Sequence, residues 1–244
     1  MNWDSLFLIL PQNFNNHTIM KENGTLPQRS MLKEWLLERA RLYGKYADNI
    51  SARLDNISIK LDYPDRGWID THIILNGEET ELFGISWCND PFEDIRLWLE
   101  YIVQHIFDYT PSGVNIDCES YSVILCYEPL PFLTDELLTP NPPELCGLFY
   151  IYDDCKGKYV TNALCETKAF VTTIYQTLLS FAEKTRENDS FVEDWIEQAY
   201  NSEWGEMEDD DPRVKDILYN KVHSEIVERF INDEYGTRRF VPVK

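Results

Sequence analysis

The sequence predicts an α+β fold, with a mostly antiparallel sheet of about six strands, an inserted central helix and a helical C-terminal part. Three observations point there. Apolar and polar residues alternate with period two through residues 57–87, interrupted by two turn signals. A proline-led segment at 90–107 is apolar around most of its helical circumference. Beyond residue 167, apolar side chains recur at helical spacing. The 244 residues are read as one domain, 1–244, with an N-terminal amphipathic helix at 28–50, a sheet region at 56–164 that contains the helix at 91–107, and a helical part at 167–232. Hydrophobic residues make up 43% of the chain and aromatics 14%. That content builds a sizeable core and excludes global disorder.

The first element, 28–50, carries Met31, Leu32, Trp35, Leu36, Ala40 and Tyr43 on one helical face, with Arg29, Lys33, Arg39, Arg41 and Lys45 between them. The alternation of Ile57, Ile59, Leu61 and Tyr63 with Ser58, Lys60 and Asp62 predicts a half-buried strand. Pro64 to Gly67 reads as a turn, and Trp68 to Leu75 as the second strand. Asn76-Gly77 signals a type I′ hairpin, because both residues tolerate positive φ. Thr80 to Trp87 returns as the third strand. At the next helix, Asp90 is expected to cap, Pro91 to take the first helical position, and Glu93 to complete a capping box.

Tyr121 to Tyr127 predicts a fourth strand. Residues 129–145 hold five prolines, which forbid regular structure there. Cys146 to Tyr152 and Lys158 to Leu164 predict a last hairpin around Lys156-Gly157. One helix is marked by Phe170, Ile174, Leu178 and Phe181, and a short one by Phe191, Trp195 and Ala199. Asp211-Pro212 repeats the cap-plus-proline start. Val214, Leu218, Val222, Ile226 and Phe230 predict one continuous final helix.

Charge is the strongest functional signal. The net charge is −21, from 43 Asp plus Glu against 22 Lys plus Arg. Residues 183–235 alone hold 17 acidic and 6 basic side chains. Such a field repels nucleic acid and anionic membrane surfaces and attracts basic partners. No apolar stretch approaches the length needed to span a bilayer, and the first residues lack a basic n-region, so the expected compartment is the cytoplasm.

Catalytic signatures are sparse. Cys88 closes a strand just before a helix start, where the helix dipole would lower a thiol pKa. His72 lies in the preceding strand and Asp70 shares its face, so Cys88, His72 and Asp70 form a candidate nucleophile–base–orienter set for a hydrolase. The sequence around Cys88 matches no nucleophile motif, and 43 carboxylates always offer pairs for acid–base work. The four histidines and six cysteines show no metal-ligand spacing, and no phosphate loop, dinucleotide fingerprint or nucleophile elbow occurs. No metal or cofactor is expected, and no family motif is matched residue by residue.

The favoured reading is therefore a non-enzymatic, acidic, microbial interaction protein that binds a basic protein surface. An immunity-like or antitoxin-like inhibitor, or a nucleic-acid mimic, fits that description. The expected binding residues are Trp195, Tyr200 and Trp204 as aromatic anchors, with Glu206, Glu208, Asp209 and Asp210 as the acidic complement.

Overall fold

The computed structural model describes residues 54–65, 67–86, 90–106, 111–129, 146–186, 195 and 212–232. The expected N-terminal helix at 28–50 lies outside these residues. So do the proline-rich segment beyond Pro129 and the short helix around Phe191, apart from Trp195.

Three strands, β1 (Ile57–Leu61), β2 (Trp68–Leu75) and β3 (Glu78–Ser86), form an antiparallel sheet in the order β1-β2-β3. Alternation decides its two faces. Ile57, Ile69, Ile73, Phe83 and Ile85 point into the core, while Trp68, Asp70 and His72 point out. The second hairpin forms where the turn chemistry placed it, and the first turns one residue later than the expected Pro64–Gly67. The first closes on Asp65 and Trp68, with Gly67 at φ +83°, so Pro64 precedes the turn and does not enter it. The second has Asn76 at φ +53° and Gly77 at +86°, the paired positive angles of a type I′ turn.

A second antiparallel sheet has the order β4-β5-β6-β7, from β4 (Ser112–Asp117), β5 (Ser122–Pro129), β6 (Cys146–Asp153) and β7 (Lys158–Glu166). Among the described residues the architecture is thus α+β, with seven strands in two sheets in place of one sheet of about six. The sequence reading missed β4, because Ser112-Gly113-Val114-Asn115-Ile116-Asp117 offers only two apolar residues and a glycine. The sheets meet where the Asp55 N–H donates to the Leu164 carbonyl at 2.7 Å and the Leu164 N–H donates to Asp55 Oδ2 at 2.9 Å. The hydroxyls of Thr80 and Thr161 lie 3.4 Å apart, and the Ser86 hydroxyl donates to the Glu119 carboxylate. Asp55 and Thr80 thus meet β7, while Ser86 reaches the β4–β5 turn at the other edge of the four-stranded sheet.

Four helices are described: α1 (Phe92–Gln104), α2 (Thr167–Arg186), α3 (Pro212–Val222) and α4 (Glu225–Asn232). The α1 start differs from expectation. Pro91 sits at the cap position, Asp90 Oδ1 accepts the Phe92 N–H at 3.1 Å, and Glu93 turns to Arg96 at 3.2 Å. One hydrophobic cluster joins both sheets and all four helices. Its aromatic centre is Phe170, which lies 4.5 Å from Tyr127, 5.2 Å from Phe149 and 5.9 Å from Trp98, measured between ring centroids.

The expected single final helix is two helices, broken at His223 and Ser224. Ser224 Oγ accepts the Val227 N–H at 3.2 Å, which caps α4, and donates to Glu100 Oε1 at 2.7 Å. The Ser224 N–H donates to the Tyr175 hydroxyl at 2.9 Å. Tertiary partners thus satisfy the backbone and side chain at the break.

Candidate functional site

The outward face of β1-β2-β3 carries the most distinctive exposed chemistry. Trp68 is 37% exposed and Leu82 48%, and with Tyr63, 40% exposed in the β1–β2 hairpin, they are the exposed large hydrophobics among the described residues. The register places Asp70 opposite Gly84 and His72 opposite Leu82. A Cβ on Gly84 would lie 2.9 Å from the Trp68 ring, so the indole covers the glycine and extends the apolar stripe toward Leu82. Asp70 and Glu79 lie on the same face, and Asp62, which follows β1, is paired there with Lys60 and His72. Beside Leu82 opens a shallow cleft of about 150 Å³, walled by Glu81, Tyr121, Asp153 and Lys156 among others.

His72 binds this face together. Its Nε2 lies 2.9 Å from Asp62 Oδ2 and its Nδ1 2.7 Å from Glu79 Oε2, with the side chain only 16% exposed. Asp62 follows β1 and Glu79 belongs to β3, so one ring ties all three strands. A β-bulge between Ile73 and Ile74 brings Glu79 opposite Ile74, on the outward face. The hydrogen bonds to Asp62 and Glu79 outweigh burial and raise the ring's pKa above its ordinary 6.5. Hydrogen bonds from Lys60, 2.5 Å away, and then His72 lower the pKa of Asp62 below 3.8.

These opposite shifts make the stability of the fold depend on pH. The raised His72 contributes stability that is full below its unfolded value and is lost as pH rises through its folded one. The depressed Asp62 contributes stability that is full above its unfolded value and is lost as pH falls through its folded one. His72→Ala is therefore expected to lower the melting temperature most between about pH 4 and 6.5. The loss should shrink at alkaline pH, where the native ring is neutral. An equal loss at every pH in thermal melts would contradict the clamp.

The alternative nucleophile set of Cys88, His72 and Asp70 includes a residue, Cys88, outside the described residues, so only the surroundings of His72 and Asp70 are described. Asp70 shares its face, as alternation required, but Asp62 and Glu79 take the two ring nitrogens. With both ring nitrogens engaged by carboxylates, neither is open to take a thiol proton. Among the other thiols, Cys118, Cys126, Cys146 and Cys165 are buried and Cys155 is exposed. Burial pushes the Cys118 thiol up to about 11 and raises Cys126 as well, so neither is an activated nucleophile. The His105 ring lies tilted against that of Tyr101, 4.1 Å between centroids, and His223 faces Glu228 at 3.4 Å. Among the described residues no group of three or more His, Cys, Asp or Glu is arranged to hold a metal, and no helix is long and apolar enough to cross a membrane.

Trp195 corrects the expected set of anchors. It is fully buried, edge-on to Phe92 at 6.1 Å, so it is a core residue and not an exposed contact. Tyr200, Trp204, Glu206, Glu208, Asp209 and Asp210 lie outside the described residues. The Trp68–Leu82 stripe escaped the sequence reading, although the alternation that sends Ile69, Thr71 and Ile73 inward also sends Trp68 and its neighbours outward.

Comparisons with protein-family models, with curated proteins and with solved structures found no match to this chain.

Proposed function

We propose that this chain is a non-enzymatic, acidic interaction protein that binds a basic protein surface in the manner of an inhibitor. One observation carries the reading: an exposed apolar stripe, Trp68 over Gly84 and on to Leu82, is set among carboxylates in a chain of net charge −21. Aromatic and aliphatic anchors supply affinity at the centre of an interface, while surrounding charge steers encounter and selects partners by sign. The engagement of both His72 ring nitrogens by Asp62 and Glu79 favours this reading over a hydrolase that would use His72 as the base for Cys88. The acid-rich segment 187–211, with Tyr200 and Trp204, is proposed to extend the same acidic surface.

The test is capture of basic proteins from the source organism's extract on the immobilised chain at low ionic strength. A saturable complex with one basic protein is expected, weakened on the order of tenfold or more by Trp68→Ala. No basic partner at low salt, or capture unaffected by Trp68→Ala and by neutralising Glu206 to Asp211 together, would contradict the proposal.

A further inference from the structure

A groove of about 350 Å³ runs between the free edge of β1 and α2, away from the Trp68 stripe. Its lining contains Lys60, Lys184 and the polar side chains of Thr173, Gln176, Thr177 and Ser180, with no carboxylate among the lining residues. That is a local inversion of sign in a chain with 43 acidic and 22 basic residues. The Lys60 ammonium is shared with Asp62, whereas Lys184 is exposed and has no ion-pair partner among the described residues.

The β1 backbone lines the same groove. The Asn76 N–H donates to the Asn56 carbonyl at 2.8 Å, and the Asp62 N–H to the Asp70 carbonyl at 2.9 Å. Even-numbered residues of β1 therefore direct their backbone groups to β2, and odd-numbered ones direct theirs to the open edge. Two edge groups are already used. Asp55 pairs with Leu164, and the Ile59 carbonyl shares the Thr177 hydroxyl, 3.2 Å away, with the Thr173 carbonyl at 2.9 Å. The Ile59 N–H and both backbone groups of Leu61 have no partner among the described residues and face the groove.

An edge strand with outward backbone groups, opposed by a polar helix wall, is the geometry that accepts an added strand. We propose that this groove binds an extended peptide segment bearing a carboxylate side chain, which pairs with the Ile59 N–H and the backbone groups of Leu61 and places its carboxylate at Lys184. The wider acidic field does not forbid this, because at physiological salt it is screened beyond about 8 Å. This site is independent of the proposed basic partner.

The test titrates the full chain with an uncharged-end hexapeptide of alternating valine and glutamate, followed by amide NMR. The Ile59 and Leu61 amides are expected to shift more than those of Ser58 and Lys60, which are committed to β2. Methylating the peptide's backbone nitrogens in one alternate phase should abolish binding, and methylating the other phase should leave it intact. Lys184→Glu should weaken binding about tenfold while leaving the free chain's spectrum otherwise unchanged. The proposal is overturned by absence of shifts at about 1 mM peptide, the weak end of specific binding. It is equally overturned by identical binding of both methylated peptides, by tighter binding of the valine–lysine analogue, or by β1 shifts that arise from self-association of the chain alone.

Discussion

Phe170→Ala is expected to cost about 3–5 kcal/mol, a large part of the stability of a domain of this kind. Phe170 is fully buried on α2 and meets three aromatic rings, those of Tyr127, Phe149 and Trp98. Two of these come from the four-stranded sheet and one from α1, so the ring joins three separate elements. Its removal leaves a cavity that rigid neighbours cannot fill. Trp98 is held by its indole N–H, which donates to Ser112 Oγ at 3.0 Å, and Tyr127 by its hydroxyl, which donates to Thr167 Oγ1 at 2.7 Å. Urea titration should show a lower midpoint with an unchanged slope. A loss below about 1 kcal/mol would mean that the cluster collapses freely around the gap.

Gly147→Ala should be comparably damaging, at about 3 kcal/mol, through overpacking and a lost buried hydrogen bond. A Cβ at Gly147 would lie 2.3 Å from Cζ of the Tyr127 ring and 2.4 Å from its hydroxyl oxygen. Neither side can yield easily, because the ring is wholly buried against Phe170 and its hydroxyl is bonded to buried Thr167. The same contact defines a double-mutant check. In a Tyr127→Ala background the collision is gone, so Gly147→Ala should become nearly neutral. Additive losses would show that the glycine serves some other end.

The parts of the fold that were legible in the sequence are those specified locally. Asn76-Gly77 fixes its hairpin by backbone conformation, and the period-two pattern on either side fixes which face is buried. The start of α2 near Thr167 and its apolar stripe were similarly visible. What was not legible depends on distant partners. The chain breaks at Ser224 because Tyr175 and Glu100, 49 and 124 residues away, supply hydrogen bonds there, while the apolar spacing from Leu218 to Phe230 continues across the gap. The strand β4 is too poor in apolar residues to announce itself, yet Val114 and Ile116 are buried once β5 pairs with it.

The same distinction governs the candidate site. Asp70 was the nearest carboxylate to His72 by alternation, but the β-bulge brings Glu79 onto that face and the hairpin brings Asp62. Trp195 lies in an acid-rich segment and so resembled an interface anchor. Its packing partner, Phe92, comes from the start of α1, a tertiary relation that no local pattern records. Burial of Trp195 removes one anchor, and the exposure of Trp68 and Leu82 supplies others.

The central claim, recognition of a basic protein by an acidic face with an apolar centre, is most directly tested by association kinetics with the captured partner across ionic strength. The account predicts an on-rate that falls steeply as salt is raised from about 50 to 200 mM, while Trp68→Ala acts chiefly on the off-rate. An on-rate indifferent to salt, with Trp68→Ala leaving the off-rate unchanged, would contradict it.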